Sequence, residues 1–150
     1  MIRISKEADY GIILLAQFVL AGTQLSRSAR EVALATQLPL PMVSKILKVL
    51  AQKGLLSSQR GPKGGYKLIR RASSISIAEV IHVVEGPIAM TECVEGAGKC
   101  NHQPMCHFQD PWHRINRAVV EVLGRISLAD MMPSTDALVP LEGPKHSRRN

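Results

Sequence analysis

The chain has 150 residues, of which 45% are hydrophobic, and a formal net charge of +7. This length fits one domain with a small appendage, and the hydrophobic fraction is enough for a core, which excludes a wholly disordered chain. No apolar run approaches the roughly 18 residues of a membrane span, and the N-terminus has no signal-peptide pattern. We therefore expect a soluble cytoplasmic protein with no membrane partner.

The positive charge is concentrated in the first half of the chain. Residues 1–71 contain 12 basic and 3 acidic side chains, a net charge of +9, whereas residues 72–150 contain 7 and 9, a net charge of −2. A strongly basic half beside a near-neutral half is typical of nucleic-acid binding by the first. The chain has only 5 aromatic residues on which single strands could stack, so double-stranded DNA is the expected partner. The alternative is a basic solvated surface without a partner.

Three helices are predicted in the basic half. Ser5 can cap the first, which contains the apolar stretch 12–20. Ser28 begins the second through the capping-box pattern Ser-x-x-Glu, and Pro41 occupies the first position of the third. Apolar residues recur at helical spacing on one face of the third helix: Val43, Ile46, Leu47 and Leu50. Its opposite face is polar or basic: Ser44, Lys45, Lys48 and Gln52. Two short helices joined in this way predict a helix-turn-helix.

Two strand-like runs follow, at residues 55–60 and 66–70, with a glycine-rich turn between them. A hairpin directly after a recognition helix is typical of a wing, and Arg60 and Lys63 at its tip suit a narrow minor groove. An ordinary surface hairpin would not explain these charges, and a phosphate-binding loop would need a helix after the glycines. We predict a mainly α fold, with a winged helix-turn-helix DNA-binding domain in residues 1–75.

The second half contains an irregular segment that holds all 3 cysteines of the chain: Cys93, Cys100 and Cys106. It follows a short helix predicted from Ser76 to about Gly86. An odd number of thiols in an intracellular chain argues against structural disulfides and favours metal ligation over a redox pair with a third, spectator cysteine. Because C-x2-C knuckles are missing, the spacing suits an iron–sulfur cluster, while a zinc site with three cysteines and a histidine stays open.

A long final helix is predicted to be capped by Asp110 and Pro111. Its apolar residues recur at helical spacing: Trp112, Ile115, Val119, Val122 and Ile126. With the first helix, this stripe predicts a homodimer surface, so residues 76–131 are assigned to a cluster-binding loop and a dimerisation helix. The tail 132–150 is predicted to be disordered. No catalytic constellation is recognisable, so we expect neither an enzyme nor a small-molecule substrate.

These features together resemble a known family. The segments SKEADYG, RGPKGGYKL and SIAEVI, with three cysteines followed by a tryptophan, resemble the IscR/NsrR (Rrf-two) regulators over roughly residues 1–131. The segments PLPMVSKILKVLAQKGLL, EGPIAMTEC and INRAVVEVLGRISLADM are most similar to the subgroup that regulates the SUF iron–sulfur assembly operon. The resemblance implies a homodimeric transcription factor, which we expect to be a repressor, with a DNA affinity that depends on a 2Fe–2S or 4Fe–4S cluster.

The resemblance also implies roles for individual residues. The thiolate ligands fall on Cys93, Cys100 and Cys106. The base-contacting residues fall on Pro41, Met42, Ser44 and Lys45, and the arginine of the wing falls on Arg60. Ser28, Lys48 and Lys63 complete the predicted DNA-binding set.

The fourth cluster ligand is left open by two departures from the family pattern. Gln109, a poor iron ligand, stands where the IscR branch has a histidine, and the first gap between cysteines is one residue longer than usual. His107 and Asp9 are the candidates, and Asp9 matches an aspartate that ligates across the dimer in nitric-oxide-sensing members. The helix dipole also explains an acid at Asp9. A nitric oxide or redox sensor, and a zinc-bound or cluster-free winged-helix regulator, are the alternatives.

Overall fold

The computed structural model describes residues 3–22, 25–62 and 64–133. In these ranges the fold is mainly helical, as predicted, and no helix is long and apolar enough to cross a membrane. The elements are α1 (Lys6–Ala21), α2 (Ala29–Thr36), α3 (Leu40–Gln52), β1 (Leu56–Gln59), β2 (Gly65–Leu68), α4 (Ile77–Glu85), α5 (Glu92–Glu95) and α6 (Gln109–Arg125). The predicted tail lies outside the described residues, apart from Met132 and Pro133.

Helix α1 forms the centre of the core and packs against α2, α3 and α4. As predicted, Ser5 caps it: the Ser5 hydroxyl accepts a hydrogen bond of 3.1 Å from the Ala8 N–H. Phe18 is fully buried on its inner side. A Cβ at Gly11 would lie only 3.0 Å from the Val84 side chain, so a glycine allows the close approach of α1 and α4.

The predicted capping box forms at the start of α2. The Glu31 carboxylate accepts hydrogen bonds from the backbone N–H and the hydroxyl of Ser28, at 2.6 and 2.7 Å. The Ser28 hydroxyl in turn accepts from the Glu31 N–H at 3.2 Å. Hydrogen bonding by the Ser28 backbone and then by its hydroxyl holds the pKa of the Glu31 carboxyl below its ordinary value. The cap therefore fixes the start of the helix that precedes α3.

Helix α3 buries the predicted stripe of Val43, Ile46, Leu47 and Leu50. It begins one residue earlier than predicted, at Leu40, so Pro41 is its second residue rather than its first. Either position suits proline, since the first N–H groups of a helix have no intrahelical partner.

Strands β1 and β2 form an antiparallel hairpin in which Leu56 pairs with Leu68. A short bridge adds Arg27 to this sheet: its N–H donates to the Tyr66 carbonyl at 2.9 Å, and the Tyr66 N–H donates to its carbonyl at 2.8 Å. A Cβ at Gly65 would lie 2.7 Å from the Arg27 carbonyl oxygen. The hairpin is therefore attached directly to the segment that leads into α2.

The chain returns to the core after α6. The Ile77 N–H donates to the Ile126 carbonyl at 2.9 Å, and the Leu128 N–H donates to the Ile75 carbonyl at 2.7 Å. Leu128 is fully buried in the main core. These contacts fasten the end of α6 to the start of α4.

Two local predictions in the second half are wrong. The start of α6 is not capped by Asp110 and Pro111: the helix begins at Gln109, with Phe108 at the N-cap and no side-chain capping bond. Asp110 and Pro111 instead lie in the first turn, which favours an acid and tolerates a missing N–H. The cysteine segment is also not wholly irregular, because it contains the single-turn helix α5 and a 3-10 turn at Gln103–Met105.

Candidate nucleic-acid interface and cysteine loop

One exposed face of α3 lies opposite its buried stripe. Pro41, Lys45 and Lys48 are exposed there, at a spacing that places them on the same side of the helix. Ser44 and Met42 are half-buried at its edges. Neither lysine has an ion-pair partner in the part of the chain that the structure describes. The structure thus brings the predicted residues of the recognition helix together on a surface that is free to contact a polyanion.

Ser28 is placed differently from the residues of α3. Its hydroxyl and its backbone N–H both bond Glu31 in the capping box. The side chain is therefore already used to begin α2, and its predicted DNA contact would have to be made in addition to that role.

The tip of the wing is a tight turn that presents Arg60. The Gly64 N–H donates to the Gly61 carbonyl at 2.9 Å and closes the turn. A Cβ at Gly64 would lie 2.3 Å from the Gln59 carbonyl oxygen, so the turn needs glycine there. Arg60 is exposed, whereas Lys63 lies outside the described residues. Arg60 is therefore accessible at the start of this turn.

The three cysteines lie on one segment between α4 and α6, without disulfide bonds. Each is half-buried, and the Cys93 Sγ lies 3.1 Å from the Thr91 hydroxyl oxygen. Among the described residues, no three His, Cys, Asp or Glu side chains come close enough together to hold a metal ion. Three free thiols suit an iron–sulfur cluster or zinc as donors, but the segment must rearrange to bring them together.

The candidates for a fourth ligand lie in different places. His107 is exposed beside Cys106. Asp9 is exposed in the first turn of α1, where it lines a cavity of about 320 Å³ with Leu123 and Ile126 at the end of α6. Helix α6 has 17 residues and is roughly 25 Å long, and the cysteine segment leads into its first turn. Within one chain, Asp9 therefore lies near the end of α6 opposite to the one that the cysteine segment enters.

Asn116 was missed by the sequence reasoning. It is the one buried polar side chain among the described residues, and it bonds the backbone at both Ile88 and Met90, just before the cysteine segment. A sequence signal exists: Asn116, Val120 and Leu123 share one face of α6 at the spacing of core residues. A lone amide on such a face indicates a specific backbone contact.

Most of the predicted apolar stripe of α6 is exposed, whereas its last residue, Ile126, packs against the core. Trp112, Ile115 and Val122 are 38%, 46% and 57% exposed, while Val119 and Ile126 are half-buried. The spacing of three and four residues is that of a helix–helix seam. Exposed apolar residues in such a pattern indicate a surface that another chain can cover.

Comparison with known proteins shows the family to which the chain belongs. Residues 4–134 match the family described as "Rrf2: Iron-dependent Transcriptional regulator". The chain belongs to the Rrf2 family. Protein aau3 of Rhizobium meliloti (strain 1021) is 32% identical over 146 residues, which cover 95% of this chain and 94% of that protein.

Solved structures agree with this assignment to the Rrf2 family. CymR of B. subtilis, described as its global cysteine regulator, is 28% identical with a TM-score of 0.67, and the match covers 87% of this chain and 95% of that one. T. potens IscR is 25% identical with a TM-score of 0.66, and the match covers 87% and 85%. The predicted winged-helix fold is confirmed. This Rrf2 protein is a DNA-binding transcriptional regulator and not an enzyme, as its relatives are regulators.

Proposed function

We propose that this Rrf2 protein is a homodimer that binds a near-palindromic operator and represses SUF-type iron–sulfur assembly genes according to iron–sulfur status. The observation that carries the proposal is the placement of three free thiols on one segment, which Asn116 fastens to α6. The proposed SUF target is supported by the similarity of segments such as EGPIAMTEC to the subgroup that regulates the SUF operon. If these genes are the target, a footprinting assay should show protection of a site in their promoter. A footprint without protection there would contradict the SUF target.

The DNA-binding end follows from the exposed face of α3. The proposed base contacts are made by Pro41, Met42, Ser44 and Lys45. Lys48 contacts a DNA phosphate one turn further along α3. Ser28, at the start of α2, contacts the sugar-phosphate backbone of the DNA. Arg60, with Lys63 three positions later in the sequence, enters the minor groove from the wing. Their basic character fits the net charge of +9 over residues 1–71.

The dimer follows from the apolar stripe of α6. A second copy would cover Trp112, Ile115 and Val122, which are exposed in the single chain. A two-fold dimer places two copies of α3 at the spacing of two half-sites, which is why we expect a near-palindromic operator. The stripe lies on α6, and Asn116 of the same helix bonds Met90 just before the cysteine segment. A movement of the segment would therefore shift α6 and alter the dimer contact.

The cofactor site is proposed at Cys93, Cys100 and Cys106, with Asp9 across the dimer or His107 as the fourth ligand. A 2Fe–2S or 4Fe–4S cluster supplies a centre whose assembly and loss report iron, oxidants or nitric oxide. The chain's own residues would transmit the change: when residues 90–110 rearrange to hold the cluster, the hydrogen bonds of Asn116 to Ile88 and Met90 would shift α6 and so the spacing of the two α3 helices.

The test is anaerobic reconstitution of the full chain with iron and sulfide. We expect visible absorption, with iron and acid-labile sulfide bound, and loss of both in Cys100→Ala. Ser73→Ala, at an exposed residue away from the cysteine segment, is the control and should bind as the wild type does. Protein that stays colourless after reconstitution, or that holds zinc and no iron, would contradict the proposal that the chain binds an iron–sulfur cluster.

Exposure of the reconstituted protein to nitric oxide separates nitric oxide sensing from sensing of iron status.

A cluster-free thiol regulator is the second candidate. It is favoured by the finding that no three ligand side chains come together among the described residues. In that case oxidant would change the operator affinity of the metal-free protein, and a cysteine variant would not respond. An unchanged affinity after oxidation would exclude this candidate.

A further inference from the structure

The first turn of α3 lacks hydrogen-bonding side chains. Its N-cap is Pro39, no side chain caps it, and it carries no acidic residue. Leu40 and Pro41 are exposed and Met42 is half-buried. In a helix-turn-helix the N-terminal residues of the recognition helix contact the base edges. This turn therefore meets the major groove with apolar side chains, which cannot read the donors and acceptors of the bases.

In the major groove, the C5-methyl group of thymine is the apolar group that an apolar side chain can contact. Pro41 lies on the same exposed face as Lys45 and Lys48, directly opposite the buried stripe. We propose that Pro41 reads a thymine methyl group in each half-site, with Leu40 beside it. The inference rests on the proposed function, because it names the base that one residue of that interface selects.

The spacing of residues along α3 also predicts how far apart two bases of the half-site lie. Lys45 follows Pro41 by four positions, which is about 6 Å along the helix axis. Stacked base pairs are about 3.4 Å apart, and a lysine that contacts a base most often donates to guanine. The selected half-site should therefore contain a thymine within about two base pairs of a guanine.

Proline also has a purely structural role in a first helical turn, since its fixed φ favours the helix start. If Pro41 had only that structural role, the affinity for DNA would not depend on the thymine methyl group. The two explanations differ in whether removal of this one group from the DNA weakens binding.

The experiment starts from duplexes selected out of a random pool by the full-length dimer. Each thymine of the selected site is then replaced by deoxyuridine, which removes the methyl group and keeps the hydrogen-bonding edge. Affinity is measured by fluorescence anisotropy. We expect one position in each half-site at which the replacement weakens binding about fourfold, the size of one buried methyl group.

Two variants assign this effect to a residue. Pro41→Ser suits a helix start and should bind the thymine and uracil duplexes equally. Leu20→Ser, at a residue that is 58% exposed on α1, should keep the wild-type preference. Equal wild-type affinity for all uracil duplexes, or an unchanged preference in Pro41→Ser, would overturn the inference. Failure to select any duplex would instead contradict the proposed function itself.

Discussion

The side-chain amide of Asn116 holds the backbone of Met90. Its Oδ1 accepts from the Met90 N–H at 3.0 Å, and its Nδ2 donates to the Ile88 carbonyl at 2.9 Å. Met90 precedes the cysteine segment, and Asn116 lies in the middle of α6. Two hydrogen bonds thus join the residues that lead into the cysteine segment to the helix that carries the exposed apolar stripe.

Asn116→Leu should destabilise the protein by about 1–3 kcal/mol, because it keeps the side-chain volume but leaves the Met90 N–H and the Ile88 carbonyl without partners. The free energy of unfolding in urea measures this. Arg117→Leu, at the exposed neighbouring position, is the control and should change stability by less than about 0.5 kcal/mol. Wild-type stability in Asn116→Leu would show that the two bonds contribute little.

Val122→Glu should convert the dimer into monomers. The side chain is 57% exposed in the single chain, so the charge is tolerated there and is unfavourable only when a second copy covers it. Sedimentation measures the mass, and Glu121→Gln, at an exposed neighbour, should stay dimeric. A wild-type chain that sediments as a monomer would refute the proposed dimer.

Arg60→Ala should weaken specific operator binding by roughly 1–3 kcal/mol, because it removes a groove contact at the wing tip. Gln59→Ala, at the exposed residue before it, is the matched control. Titration of both variants against the selected duplex measures the difference. Equal affinity of Arg60→Ala and the wild type would rule out the proposed role of the wing.

Lys48→Ala should act as the loss of a phosphate contact, which lowers affinity for all sequences and reduces the slope of log affinity against log salt by about one. Arg125→Ala is the control, because it also removes an exposed positive charge but lies in the last turn of α6 rather than on α3. Titrations at several salt concentrations give the slope. An unchanged slope in Lys48→Ala would mean that this lysine does not contact the backbone.

The features predicted well from sequence depend on local chemistry. The Ser28–Glu31 capping box needs only two residues three positions apart, and the buried stripe of α3 needs only one amphipathic helix. The hairpin was visible because its glycine-rich turn separates two strand-like runs. In each case the determining interactions are local in sequence, and the widest pair, Leu56 with Leu68, belongs to one hairpin.

The features that were missed depend on long-range contacts. The Arg27–Tyr66 bridge and the Asn116–Met90 bond join residues that no periodic pattern relates. The start of α6 was misplaced because Asp110 and Pro111 fit a first turn as well as a cap. The cysteine and DNA-contacting residues stay predictions, since side-chain chemistry names candidate ligands without showing that they meet.

The most direct test of the central claim compares the operator affinity of the chain with and without its cluster. Anaerobic anisotropy titrations would use the reconstituted protein, the metal-free protein and Cys100→Ala. We predict that the reconstituted wild type differs from the metal-free protein by roughly 5- to 150-fold, and that Cys100→Ala matches the metal-free protein. The same affinity in all three samples would contradict the claim that the cysteine segment controls DNA binding.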